Sequence, residues 1–180
     1  MYKINVELSI KAQEQSGSII KPKGCYENVY KLIFDGSFNG EREVLFCYLS
    51  TENTTPMVLR HAFLLVDGEI VEPLPHVREG LLVESIIPIA RLSHTEYLDC
   101  ILKDEMYACW ATLMPQELDA LESSGAVINP FEISEFVSYH TDNSAIFLEL
   151  FQSASQGNYK PFRALLPNQS KSKKKQKNAD

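Results

Sequence analysis

No stretch of this chain approaches the roughly 18 uncharged apolar residues that span a bilayer, so a membrane-spanning helix is excluded as its organising element. The first twenty residues, MYKINVELSIKAQEQSGSII, lack the basic start, long apolar run and small-residue cleavage site of a secretory signal. None of the four cysteines (Cys25, Cys47, Cys100, Cys109) forms a C-x-x-C pair, and His61, His76, His94 and His140 are scattered. Structural zinc needs its ligands at short, paired spacings, so no metal is expected, and nothing in the chain asks for another cofactor. Without a secretion signal, and with 44% hydrophobic residues to build a core, the thiols are expected to be reduced and the protein cytoplasmic. There is no internal repeat, and no low-complexity stretch apart from the C-terminus.

What is present suits one domain. A chain of 180 residues buries one sizeable core and is short for two. The expected domain runs over residues 1–168, and the Lys-rich tail, 169–180, is expected to be disordered because it has almost no apolar side chains to bury. The net charge of −7 is unevenly placed: the tail's KSKKKQK holds five of the 17 basic residues against Asp180 alone, which leaves residues 1–170 with 12 basic and 23 acidic side chains, or −11. An acidic body repels phosphate backbones, so nucleic acid is not an expected partner except through the tail. The tail is either a solubilising end or an electrostatic tether.

Residues 2–10, YKINVELSI, place Ile4, Val6, Leu8 and Ile10 at period two, which predicts a half-buried strand or extended arm. Lys21-Pro22-Lys23-Gly24 predicts a loop, and CYENVYKLIFDG a helix that begins at Cys25 and ends near Gly36. A β-rich run covers Glu43 to Ser50. MVLRHAFLLV, then Asp67-Gly68, then EIVEPL is the strongest hairpin pattern in the chain, and three adjacent antiparallel strands follow from it. In LLVESIIPIA, Pro88 predicts an edge strand or a strand exit. From Ser93, which forms a capping box with Glu96, the pattern turns helical. Further helices are predicted to start at Pro115 and at Asn129-Pro130, and along the stripe Ile146, Phe147, Leu150 and Phe151.

The chemistry of interest centres on Cys25. A thiol becomes a nucleophile when it ionises, which a helix N-terminus and a neighbouring imidazole both favour. The same helix start leaves backbone N–H groups free to hold an oxyanion, and Gly24 beside it lets a substrate approach closely. With a two-residue Asp67-Gly68 turn, Val66 pairs with Glu69, Phe63 with Glu72 and His61 with Leu74. His61 and Glu72 then share a face as diagonal neighbours, about 7–8 Å apart at Cα, within reach of one hydrogen bond. Such a bond would set the imidazole tautomer and support its charged form. Asn28, one turn after Cys25, faces the same side and either lines the pocket or packs a loop. Each residue also has a plainer reading: Cys25 as a buried thiol, and His61 with Glu72 as a self-satisfied core pair. His76 and His94 are expected at the surface, and Trp110 and Tyr107 in the core.

The stretches Gly24-Cys25-Tyr26-Glu27-Asn28 and His61-Ala62-Phe63 through Asp67-Gly68 to Glu72-Pro73 resemble the core of the papain-like cysteine protease superfamily. Its compact transglutaminase-like, NlpC/P60-like and arylamine N-acetyltransferase-like branches, including small bacterial and phage proteins, are the nearest in pattern. The C-G-[SA]-C-[WY] signature of papain is absent, and only 36 residues separate His61 from Cys25. The likeness covers about residues 20–75. It implies an α+β fold: a helix-start cysteine packed on an antiparallel sheet, then a mostly helical C-terminal half. It further implies Cys25 as nucleophile, His61 as general base and acid, Glu72 as orienting acid, and Gly24 and Asn28 at the substrate. Some branches place an upstream glutamine in the oxyanion hole; neither Gln13 nor Gln15 is assigned that role. Two functions follow: a thiol hydrolase or acyltransferase acting on an amide or ester of a peptide or protein, or a catalytically silent module that binds a protein partner, such as a phage-type inhibitor of a host protein.

Overall fold

The computed structural model describes residues 2–16, 20–21, 23–35, 38–50, 57–82 and 85–166. Pro22, Gly36 and the tail 169–180 lie outside the described residues, so the readings placed on them rest on the sequence. In chain order the elements are α1 (Val6–Ser16), α2 (Cys25–Phe34), β1 (Arg42–Ser50), β2 (Met57–Val66), β3 (Glu69–Val71), α3 (Pro75–Gly80) and β4 (Ile86–Ser93). Then come α4 (His94–Asp104), α5 (Trp110–Ser124), β5 (Val127–Ile128), α6 (Pro130–Ser138), α7 (Ser144–Ser155) and α8 (Lys160–Arg163). The fold is mixed, with a mostly antiparallel sheet and a C-terminal half that is mostly helical, as the sequence predicts.

β1 is the spine of the sheet. Val44 to Tyr48 are apolar on both faces and all fully buried, as a covered central strand requires. β2 and β4 flank it antiparallel, and β3 folds back on β2, giving the order β3-β2-β1-β4. The Asp67-Gly68 turn has φ of 51° and 80°, the left-handed pair that a two-residue hairpin turn demands. β5 adds a short parallel pairing to Met57 and Val58 of β2. One sheet face packs on α2, α4 and α5 through Val29, Leu32, Phe46, Leu64, Tyr97 and Trp110. The opposite face closes over Leu45, Phe63, Leu65 and Ile70 with help from Tyr2 and Ile4.

Several expectations need correction. The strand over 2–10 reduces to one bridge, Ile4 to Ile70. Asn5 then caps α1: its side-chain oxygen accepts from the Leu8 N–H at 2.9 Å, and Asn is a strong N-cap. Helical spacing buries Ser9 and Ala12 instead of the period-two set, leaving Val6 and Ile10 exposed. Pro115 does not start a helix, since α5 begins at Trp110 and carries Pro115 inside it. The lost hydrogen bond to Ala111 is outweighed by one buried face that holds Trp110, Leu113, Met114, Leu118 and Leu121. Pro88 does lie in the edge strand, but β4 continues past it to Ser93; the register shifts between Phe46 and Cys47, where Pro88 sits, so the proline falls at an irregularity. Tyr107 is 42% exposed and stacks on Tyr30 at 4.3 Å, whereas Trp110 is in the core as expected. The short elements α3, β5 and α8 had no periodicity long enough to announce them.

Replacing Pro115 by Ala restores an N–H for the Ala111 carbonyl. The substitution is expected to raise stability by roughly 1 kcal/mol in urea denaturation; a loss of that size would mean that the proline is needed where it stands.

Candidate active site

The outer edge of β2 explains how the cleft arises. Even-numbered residues of this strand turn their peptide groups away from β1. The Val58 carbonyl accepts from Asn129 N–H at 3.0 Å, the Arg60 N–H donates to Glu132 Oε2 at 3.0 Å, and Leu64 and Val66 pair with β3. Ala62 lies between them, and the hairpin register sets Pro73 opposite it. A proline has no N–H to give. The ladder ends at Leu64 and Val71, and the Ala62 peptide makes no hydrogen bond with a described residue. A cleft of about 640 Å³ opens there, lined among others by Cys25, Asn28, His61, Ala62, Glu72 and Glu132.

Cys25 is the first residue of α2, half-buried in this cleft. Gly24, the N-cap, offers no side chain to the helix start, so the first N–H groups of α2 have no side-chain cap among the described residues. The loop before it is held by Asn28: its Oδ1 accepts from Lys21 N–H at 2.9 Å and its Nδ2 donates to Lys21 O at 2.8 Å. A Cβ at Gly24 would stand 3.3 Å from Lys21 O, so glycine here lets the loop pass close to the helix. Thus Gly24 and Asn28, both expected at the substrate, build the turn that presents the cysteine; Asn28 also reaches the cleft wall.

Glu72 follows the last residue of β3 and is buried. Its Oε1 accepts from Leu74 N–H at 2.8 Å, which takes up a donor freed by the bend at Pro73. Its N–H donates to Ser9 Oγ of α1 and its carbonyl accepts from Arg78 of α3. Held at these points, it directs Oε2 to His61 Nε2 at 3.9 Å. Among the described residues that buried nitrogen has no partner at full hydrogen-bond distance. The ring of Phe63 packs beside the imidazole at 4.4 Å. Burial alone would lower the His61 pKa, but the neighbouring Cys25 thiol and Glu72 carboxyl carry it up, to about 9. The expected Cys25, His61 and Glu72 are therefore neighbours in one cleft, although β3 stops at Val71, before the expected pairs Phe63–Glu72 and His61–Leu74 can form.

Sequence reasoning missed a second layer. Arg60, one residue before His61, sends its side chain to the opposite sheet face, where Nε donates to Glu117 Oε1 at 2.7 Å and both groups are buried. The Tyr48 hydroxyl donates to the same carboxylate. The guanidinium lies over the Trp110 ring, 4.7 Å from its centroid, with Phe136 and Tyr139 close by. Burial pushes the Glu117 carboxyl up, against the opposing pull of Arg60 and Tyr48. The signal was there: an arginine in a covered strand and a glutamate inside the apolar stripe of α5 must meet a partner. Glu132 of α6, in the helix predicted to start at Asn129-Pro130, also lines the cleft. His76 of α3, expected at the surface, is exposed on the cleft wall, and His94 packs its ring against Phe34.

Among the described residues no three His, Cys, Asp or Glu side chains gather where they could hold a metal ion, and no helix is long and apolar enough to cross a membrane. No family model, curated protein or solved structure matches the chain.

The thiols differ sharply. Cys47 and Cys109 are fully buried and Cys100 nearly so, and burial raises all three, Cys109 to about 12. Iodoacetamide at neutral pH is expected to modify Cys25 first, as read by peptide mass spectrometry; equal rates at all four would contradict the geometry. Glu72→Gln keeps an acceptor for Leu74 but removes the charge facing His61. The imidazole NMR titration is then expected to move down from about 9 by a unit or more. Because the folded pKa lies above the usual 6.5, the ring's contribution to stability is present in full below pH 6.5 and is lost as pH rises through about 9. In the variant that loss comes at lower pH.

Proposed function

We propose that the protein is a thiol enzyme of papain-like type that forms a thioester on Cys25 with the acyl group of a peptide or protein amide or ester. The observation that carries this reading is the neighbourhood of three groups in one cleft: a helix-start thiol, an imidazole with a raised pKa, and a buried carboxylate turned toward that imidazole. The order along the chain also supports it, with the cysteine opening α2, a strand, the histidine on β2 and the acid at the end of β3. An extended peptide suits the cleft because the open edge at Ala62 offers a backbone N–H and C=O to pair with it.

In the first step Cys25 Sγ attacks the carbonyl carbon, and the oxyanion is met by free N–H groups at the start of α2. The carbon–nitrogen or carbon–oxygen bond breaks as the leaving group takes the proton held on His61. Water or an amine then gives a proton to His61 and attacks the thioester; the carbon–sulfur bond breaks and Cys25 is restored. Glu72 keeps the ring oriented and supports its charge. Hydrolysis and transfer differ only in that second nucleophile.

The rival reading, a silent module that binds a protein partner, draws on the apolar lip of the cleft, where Phe131 is 95% exposed and Leu59 is 39% exposed.

The two separate in a burst experiment with p-nitrophenyl acetate. An enzyme is expected to release p-nitrophenol in a burst and gain one acetyl group, mapped to Cys25 by mass spectrometry. The burst should vanish in Cys25→Ala and slow by about 10²- to 10³-fold in His61→Ala. A burst that persists in Cys25→Ala, or no adduct at all, would leave the module standing.

A further inference from the structure

The charged side chains that line the cleft are not equally free. The Arg60 guanidinium is occupied by Glu117 behind the sheet. The Glu72 carboxylate is divided between Leu74 N–H and His61. Lys23 stands on the loop before Cys25. Glu132 differs from these: Oε2 accepts the Arg60 N–H at 3.0 Å, and Oε1 makes no hydrogen bond with a described residue. The anchor at Arg60 fixes the carboxylate one residue from His61, beside the reacting groups.

Its surroundings suit a long side chain with a charged tip. Asn129 caps the start of α6, its Oδ1 accepting from Phe131 N–H at 2.9 Å. That cap holds Phe131 and Glu132 in adjacent positions on the cleft wall. Leu59 of β2 also lines the cleft and is partly exposed. An aliphatic stem can lie on apolar surface while its cationic head reaches an anion. A carboxylate that is partly withdrawn from water holds such a head more strongly than one on the open surface. It also rejects an acidic side chain, which would meet a like charge.

Resting on the thiol-enzyme reading above, we propose that Glu132 is a specificity-determining residue: it selects a peptide whose lysine or arginine side chain lies along Phe131 and Leu59 and ends at Glu132 Oε1. The substrate class is then a cationic peptide segment, complementary to the excess of acid in residues 1–170.

Peptidyl acyloxymethyl ketones test this directly. Cys25 Sγ displaces the acyloxy group from the ketone's methylene carbon, a carboxylate leaves, and a stable thioether remains. Probes that differ only in lysine, norleucine or glutamate, placed at either of the two positions before the ketone, separate charge from stem length. The wild-type protein is expected to react about 10-fold faster with the lysine probe than with norleucine at one of these positions, the scale of one charge-assisted contact. The glutamate probe should be slowest. In Glu132→Gln, which keeps an acceptor for the Arg60 N–H, the lysine and norleucine rates should converge; in Glu132→Lys the glutamate probe should become the fastest. The iodoacetamide rate at Cys25, measured on each variant, normalises its probe rates for any change in the thiol itself, and the wild-type ratio stands whatever the variants do. Equal lysine and norleucine rates in the wild type, or a lysine preference that survives in Glu132→Gln, would overturn the role of Glu132 and leave the thiol chemistry untouched. Failure of every probe, together with no p-nitrophenol burst, would overturn both.

Discussion

Pro73 stands where the register of the hairpin would set it against Ala62, and a proline ring has no N–H to give that residue's carbonyl. The β2–β3 ladder therefore ends at Leu64 and Val71. Beyond that point no described residue pairs with the outer edge of β2 until Glu132 and Asn129 reach it from the other end. An unpaired edge inside a folded domain is a liability unless something covers or uses it. Here the N-terminus of α2 comes alongside, so that Cys25 and His61 line the same opening. The same bend frees the Leu74 N–H, which Glu72 takes up, and that hydrogen bond leaves the second carboxylate oxygen facing the imidazole. One absent hydrogen-bond donor thus accounts for the cleft and for the aim of its acid.

The strand that carries His61 is tied down from the opposite sheet face and from its own edge. Arg60 is fixed through its guanidinium to Glu117 and through its N–H to Glu132, on two different helices. Removing one partner of such a buried pair generally costs about 3–5 kcal/mol, because the other charge is left without compensation. The aromatic cage of Trp110, Phe136 and Tyr139 limits where the guanidinium can go. The pairing ties α5 and α6 to β2 at the residue next to the imidazole. On the other side of the cleft, Asn28 does similar work with neutral groups by holding Lys21 at both ends of its peptide.

Much of this was legible where local chemistry and tertiary packing agree. The Asp67-Gly68 turn set the register that brings His61 and Glu72 to one side, and Ser93 with Glu96 marked the start of α4. Legibility failed where two local patterns competed. In residues 2–10 the apolar residues alternate, but Asn5 is also a cap, and the cap with its buried Ser9 and Ala12 prevailed. At Pro115 a helix-start residue lies within a longer apolar stripe, and the buried face of α5 was worth more than one backbone hydrogen bond. Arg60 and Glu117 were visible as misplaced charges, but they are 57 residues apart and nothing local joins them.

The amino-acid order by itself determined the α2 start at Cys25, the hairpin and its register, because each depends on a turn or a cap within a few residues, whereas the early end of the ladder at Val71 showed only in the structure. Only the tertiary structure decided that α2 approaches the free edge of β2, that Arg60 meets Glu117, and that Glu132 lines the cleft beside the histidine. Those contacts join segments tens of residues apart, and their energies depend on burial, which no local pattern of residue types contains.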